Sequence, residues 1–167
     1  MSATTPGLEV RRVTTQADLE RAWEVRFEVF VDEQGVSASS EVDDADTAAT
    51  TAHVIAVDAD GTVLGTGRLL SDPAHPGEVH LGRLAVRAAA RGLRVGARLV
   101  AALEAVAVAE HAVPQEGQAD VLGVTVLLSA QETAMGFYER LGYAVVTGER
   151  VLDEGIWHQD MARHITL

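Results

Sequence analysis

The sequence predicts an α/β domain of the α+β kind, with a mixed, mostly antiparallel central sheet and helices on both faces. Three observations lead there. Strand-like and helix-like segments follow one another in the order β-α-β-β-β-α-β-α-β-β. The run Val121 to Leu128 is almost wholly apolar, as in a strand covered on both sides. Asp60-Gly61 separates two short apolar runs, a hairpin signal that opens an antiparallel meander. A sheet between helix layers is the simplest way to bury such pieces.

Each element follows from local signals. Leu8 to Val13 is short and partly alternating and reads as a first strand. Thr15 stands three residues before Asp18, a capping-box pattern with Asp in place of Glu. Leu19, Trp23, Phe27 and Phe30 recur at helical spacing and predict an amphipathic helix of about four turns. Glu33 to Thr51 is polar and reads as a loop, and its acidic residues Glu41, Asp43, Asp44 and Asp46 are expected to be solvated surface. A loop of this length within a compact domain is often functional. His53 to Val57 and Val63 to Leu70 flank the Asp60-Gly61 turn, and Val79 to Val86 completes the meander after a turn at Asp72 to Gly77. Gly92 to Glu110 predicts the longest helix, with Val95, Leu99, Leu103 and Val106 on one face. Ala134, Phe137 and Leu141 mark a last helix, ended by Gly142 just past its C-terminus. Tyr143 to Thr147 and Ile156 to Ala162 read as closing strands. No repeat or linker divides the chain, so one domain over residues 1–167 is expected.

Composition narrows the function classes. The chain has no cysteine, which excludes a disulfide framework, a thiolate nucleophile and a zinc–thiolate site. Its 13 basic and 25 acidic residues give a net charge of −12, which disfavours nucleic acid and favours cationic partners such as amines. The same charge serves solubility alone equally well. Residues 1–12 contain no apolar run of a secretory leader, and no long uncharged apolar stretch suggests a membrane span, so a cytoplasmic protein is expected. No grouping of His, Asp and Glu has metal-ligand spacing, and Asp43, Asp44 and Asp46 lack the Gly and terminal Glu of a calcium loop. The sequence leaves a homodimer open.

The segment richest in chemistry is Leu81 to Ala97, LGRLAVRAAARGLRVGA. An apolar strand runs into Arg91 and Gly92, and a helix begins by Gly96. The first turn of a helix offers unpaired N–H groups and partial positive charge, which suit a phosphate. Arg91 and Arg94 add charge at the same place. The spacing matches neither a dinucleotide fingerprint nor a P-loop, so on physics alone a plain strand–turn–helix connection explains it as well.

Arg91-Gly-Leu-Arg-Val-Gly96-Ala97 resembles the R/Q-x-x-G-x-G/A pyrophosphate loop of GNAT acetyltransferases. Leu128 to Tyr143, LSAQETAMGFYERLGY, is similar to that family's strand–helix pattern ending in F-Y-x-x-x-G-F/Y. Leu152 to His158 resembles the D-G-I-x-H segment of its small bacterial ElaA/YjcF-like subgroup, and Val25 to Val36, VRFEVFVDEQGV, does the same. The matches occur in the family's order and span nearly the whole chain. One position departs: Arg94 stands where the family has glycine, and the subgroup accepts a basic residue there.

The resemblance implies the GNAT acyl-CoA N-acyltransferase fold, with acetyl-CoA as cosubstrate and no metal. It implies that the backbone of Leu84, Ala85 and Val86 binds the pantetheine arm, in the manner of strand addition. It assigns the pyrophosphate to Arg91, Gly92, Leu93, Arg94, Val95, Gly96 and Ala97. Tyr138 matches the family's tyrosine near the CoA sulfur, where a hydroxyl can protonate a departing thiolate. Without that motif, Tyr138 reads as a tyrosine packed at a helix edge. For the base, His80 and Glu33 both remain open, against a packing histidine and a solvated carboxylate. His158 either lines the acceptor pocket, together with Glu33, or holds the last strand by a hydrogen bond.

The resulting expectation is direct transfer of acetyl to a primary amine, on a small molecule or a peptide, in a ternary complex. Neither nucleic acid nor membrane is an expected partner. Two other classes stay open: a non-catalytic acyl-CoA-binding module, and a partner-binding protein that uses the acidic 41–46 loop.

Overall fold

A computed structural model describes residues 7–167, so the reading of residues 1–6 as free of a leader lies outside it. β1 (Glu9–Arg12), β2 (Ala52–Val57), β3 (Val63–Ser71) and β4 (Glu78–Val86) pair antiparallel in sequence order, as the turn signals predict. A short β5 (Val113–Gln115) pairs with β6 (Gln118–Gln131), which runs parallel to β4. β7 (Ala144–Asp153) and β8 (Ile156–Thr166) close the sheet in the order β1-β2-β3-β4-β6-β8-β7. This is the mixed, mostly antiparallel sheet expected. The last hairpin extends past the predicted Thr147, because pairing with β8 resumes at Arg150↔Gln159 beyond an irregularity.

Helices cover both faces. α1 (Gln16–Arg26) packs through Ala22 and Val25 on Ile55, Val57, Val63 and Ala85. A short α2 (Ala38–Glu41) lies in the loop that follows. α3 (Val95–His111) and α4 (Met135–Arg140) share the opposite core with Val54, Leu69, Leu81, Val126 and Met161. Two glycines let α3 sit close to the sheet. A Cβ on Gly65 would lie 2.9 Å from Leu99 Cδ1, and one on Gly67 would lie 2.9 Å from Leu103 Cδ1. Among the described residues no helix is long and apolar enough to cross a membrane.

The N-terminal helix departs from its predicted form in three ways. Thr15 Oγ1 accepts the Asp18 N–H at 3.2 Å, but the Asp18 carboxylate takes Arg11 at 2.5 Å, so the capping box is only half made. The buried stripe is Leu19, Ala22, Val25, Arg26 and Val29, while Trp23, Phe27 and Phe30 are half-buried. Small Ala22 allows close packing on the sheet, which pushes the aromatics to the flanks. After Arg26 the helix widens into a π-helical stretch, Phe27–Glu33. It ends with Val36 N–H donating to Phe30 O at 2.8 Å. Such insertions re-aim side chains and are frequent at functional sites.

Asp43 and Asp44 of the acidic loop are exposed as expected, but its other two carboxylates are not solvated surface. Glu41 and Asp46 are 1% and 3% exposed. Arg26, itself 1% exposed, donates from Nε to Glu41 at 2.8 Å and from Nη1 to Asp46 at 2.6 Å, and also bonds the Glu41 carbonyl. Arg68 of β3 donates to Asp46 at 2.9 Å and to Asp43 at 2.8 Å. His53 of β2 donates from Nε2 to the Asp46 carbonyl at 2.9 Å, and burial pushes its pKa below the ordinary value. Carboxylates leave water here because guanidinium forks meet them. α2 and a 3₁₀ turn at Asp44–Thr47 carry the loop through these contacts.

Removing one member strands the other charges in a dry site, which typically costs 3–5 kcal/mol. Arg26→Ala should therefore lower unfolding free energy in urea by about 3–5 kcal/mol. Asp44→Ala, on an exposed residue of the same loop, should stay within about 0.5 kcal/mol. Arg68 hydrogen bonds hold Asp43 below the usual carboxylate range. Asp46 is also lowered, its burial outweighed by the Arg26 hydrogen bond and charge. A lowered folded pKa contributes stability that is full above the unfolded value, about 4, and lost as pH falls through the folded one. The wild type should lose stability below about pH 4, and Arg26→Ala should show a shallower acid loss in the same denaturation series.

Candidate active site

A bulge and a divergence of two strands create the site. β3 and β4 pair at Arg68↔Gly82 and again at Thr66↔Ala85, so Arg83 and Leu84 stand opposite Gly67 alone. Arg83 takes φ 50°, the unusual backbone of the bulged residue. β4 pairs with β6 only from Glu78↔Thr125 to Leu81↔Leu128. Beyond that point β6 stays paired with β8 as far as Gln131↔His158, while β4 continues on β3 to Val86. The two strands part, and a cleft of about 480 Å³ opens between them. Its walls include Phe30 and Glu33 from the π-helical stretch, Leu84, Ala85 and Val86 from β4, and Gln131 from β6. Arg91, Tyr138 and His158 complete it.

The side chains of Leu84, Ala85 and Val86 are spent on packing, with Ala85 2% exposed. What they offer the cleft is backbone on the edge that β6 has abandoned. Tyr138 is 8% exposed, and its ring meets Phe137 and Tyr143 edge-on at 5.0 and 5.9 Å. Burial pushes its phenol up to about 12, so it stays protonated through neutral pH. Its hydroxyl makes no hydrogen bond among the described residues. Tyr143 differs: its hydroxyl donates to Glu104 at 3.0 Å, which Arg163 also holds at 2.8 Å. Burial and Glu104 push the Tyr143 phenol upward.

Arg91 stands at the exit of β4, where its Nε donates to the Val86 carbonyl at 3.1 Å. Its Nη2 reaches Glu33 at 2.7 Å. Gly92 and Arg94 both adopt left-handed backbone, with φ 84° and 62°. They turn the chain into α3, whose first residues Val95, Gly96 and Ala97 present N–H groups without intrahelical partners. Val95 is 1% exposed, and a Cβ on Gly96 would lie 3.2 Å from Phe137 Cζ, so both positions serve packing as well. Gly92, Leu93 and Arg94 form this turn; of the segment from Arg91 to Ala97, Arg91 alone lines the cleft. The cradle of backbone donors and guanidinium fits an anion.

His80 does not reach the cleft. It pairs with Leu70 and Leu127 where β4 and β6 are still zipped together, and it is exposed. His158 does line the cleft, with Nδ1 2.8 Å from the Ile156 carbonyl. Sequence reasoning missed three features of the walls. Gln131 donates to Gln34 at 2.7 Å between β6 and the end of the π-helical stretch. Glu154, in the β7–β8 turn, accepts from Ser37 N and Oγ at 3.3 and 3.2 Å, and hydrogen bonds from Ser40 and Ser37 lower its pKa. Arg83 lies with Nε 3.5 Å from Glu41. All three depend on contacts remote in sequence; only Glu154-Gly155, a turn dipeptide, carried a local signal.

The family model described as the acetyltransferase (GNAT) domain matches residues 20–165. The chain belongs to the GNAT acetyltransferase family, in its ElaA/YjcF-like branch. It is 32% identical over 148 residues to the uncharacterized N-acetyltransferase YjcF of Bacillus subtilis, covering 89% of this chain and 94% of that protein. An acyl-CoA N-acyltransferase from Pseudomonas aeruginosa superposes with TM-score 0.75 at 33% identity, covering 93% and 99% of the two chains. Escherichia coli ElaA superposes with TM-score 0.76 at 24% identity over the same shares, a likeness of fold. By class the chain is an acyltransferase.

Arg94 bears a backbone conformation that costs an L-residue about 1 kcal/mol and glycine nothing. Arg94→Gly should raise unfolding free energy by about 1 kcal/mol, and Arg94→Val, branched at Cβ, should lower it. Urea titration of the three proteins checks this.

Proposed function

We propose that this protein transfers the acetyl group of acetyl-CoA directly to a primary amine, with both substrates bound at once. The observation that carries this reading is the parted β4–β6 cleft, lined by Arg91 and by Tyr138, whose ring is buried and whose hydroxyl has no partner of its own. The thioester, when bound, supplies the acetyl group. The backbone of Leu84 to Val86 holds the pantetheine arm as an added strand. Arg91 and the α3 N-terminus hold the pyrophosphate. Tyr138 donates to the sulfur as C–S cleavage places charge on it. The burial that keeps the phenol protonated also raises the cost of a bare thiolate beside it, so a donor there lowers the barrier. The absence of cysteine agrees with transfer without a covalent enzyme intermediate. A net charge of −12 favours a cationic acceptor, on a small molecule or a peptide.

A purely binding module has no need of an unbonded hydroxyl at the cleft, and Tyr138 favours the enzyme over it. The reading of the 41–46 loop as a partner-binding surface is weakened, since Glu41 and Asp46 are consumed inside and only Asp43 and Asp44 remain exposed.

The test is a panel of primary amines with acetyl-CoA, followed by release of thiol. Acetyl-CoA should also raise the melting temperature by mass action, and no shift at millimolar ligand would sink the reading. Tyr138→Phe should slow single-turnover transfer roughly 10²-fold while calorimetric CoA affinity holds. Arg91→Ala should weaken CoA and leave pantetheine nearly unaffected. Glu33→Gln should do the reverse. It removes a competitor for Arg91, and an exposed pair of this kind is worth about 0.2–1 kcal/mol, so CoA should bind up to about fivefold tighter.

A further inference from the structure

We infer that His158 is the general base, taking the acceptor's ammonium proton on Nε2. The inference rests on the acetyl-transfer reading and goes beyond it by naming the group that makes the amine nucleophilic.

One hydrogen bond decides the tautomer. His158 Nδ1 lies 2.8 Å from the Ile156 carbonyl oxygen. A carbonyl only accepts, so Nδ1 carries the hydrogen. In the neutral ring the lone pair then belongs to Nε2, the distal nitrogen. Nε2 has no hydrogen-bond partner among the described residues. The ring is half-buried and lines the same cleft as Tyr138. The bond also fixes the ring. Backbone pairing holds His158 rigidly between Gln131 of β6 and Val151 of β7. It sits at the end of β6 that has left β4, the open side of the cleft.

Of the other basic groups at the cleft, Asp153 at the end of β7 is exposed to solvent, and the glutamates are engaged. Glu33 is paired with Arg91 at 2.7 Å. Glu154 is held by Ser37 and Ser40, whose hydrogen bonds lower its pKa and weaken it as a base. Glu41 is buried on Arg26. His80 is outside. His158 is the titratable group in the wall whose lone pair is left over by its own structural bond.

Nε2 accepts one proton from R–NH₃⁺, leaving R–NH₂. The nitrogen lone pair forms the N–C bond to the thioester carbonyl carbon, and the carbonyl π pair moves onto oxygen. That pair returns, the C–S bond breaks, and its electrons leave on sulfur, which takes the Tyr138 proton. The second amine proton restores the phenol, directly or through water, and the imidazolium releases its proton to solvent. The sum is amide, thiol and one proton.

The experiment compares His158→Asn and His158→Ala with wild type, using two acceptor probes at saturating acetyl-CoA. Benzylamine is protonated at neutral pH, whereas methoxyamine is already the free base. Asparagine's amide occupies the place of Nδ1 and can still donate to the Ile156 carbonyl, but it has nothing at the place of Nε2. Both variants should lose roughly 10²-fold in thiol release with benzylamine, a usual general-base effect, and change little with methoxyamine. CoA affinity by calorimetry should equal that of wild type. Restoration of the benzylamine rate by asparagine would mean that the ring only holds the strand, and would overturn the assignment. Equal losses with both amines would overturn it too. Failure of wild type itself to bind CoA would instead overturn the acetyl-transfer reading beneath it.

Discussion

The buried meeting of Arg26 with Glu41 and Asp46 is the constraint on which the site depends. α1 brings Arg26 to the sheet, and the following loop must return to it with two carboxylates before either charge can leave water. Arg68 ties Asp46, together with Asp43, to β3, and Arg83 extends the cluster from Glu41 to the bulge in β4. The cluster gains little over apolar packing in stability alone, since desolvating so many charges is expensive. Its consequence is positional. It sets the loop from residue 34 to 47 against the bulge, and so decides where one wall of the cleft stands.

The other wall follows from unequal loyalty between strands. β4 stays with β3 and β6 stays with β8, so the parallel pair between them unzips after Leu81. A sheet interior normally satisfies every backbone group with the neighbouring strand. Here the edge of β4 is left to be satisfied by something else, and an extended chain with amide groups does that well. The bulge at Arg83 keeps β4 on β3 while turning it from β6. Fold and cleft are therefore one feature of the backbone, which explains why the side chains of Leu84 to Val86 are ordinary core.

Two hydroxyl-bearing rings on neighbouring elements illustrate how surroundings assign roles. Tyr143 is pinned by Glu104 and Arg163 and serves packing. Tyr138, one helical turn and a glycine earlier, keeps its hydroxyl unpaired at the cleft. The same contrast separates Glu33, paired yet exposed, from Glu41, sealed inside. Residue type was equal in each pair; burial and partners were not.

Much was readable from the chain. The meander around Asp60-Gly61, the apolar β6, the α3 face and the Arg91 to Ala97 turn follow from local periodicity and turn chemistry, which act over a few residues. Motif order was enough to bring Glu33, Leu84 to Val86, Arg91, Tyr138 and His158 into one proposed site, and all of them line one cleft. The acidic loop misled, because a run of Glu and Asp carries no local sign that Arg26 and Arg68 will meet it. His80 lies outside the cleft because β4 and β6 are still paired there, and the strands part at a bulge whose Arg83 is not a residue that announces left-handed backbone. The half-made capping box, the π-helical stretch and the tautomer of His158 were likewise decided only in three dimensions. Hydrogen bonds and charge pairs between distant segments settle such matters, and the linear order of residues does not record them.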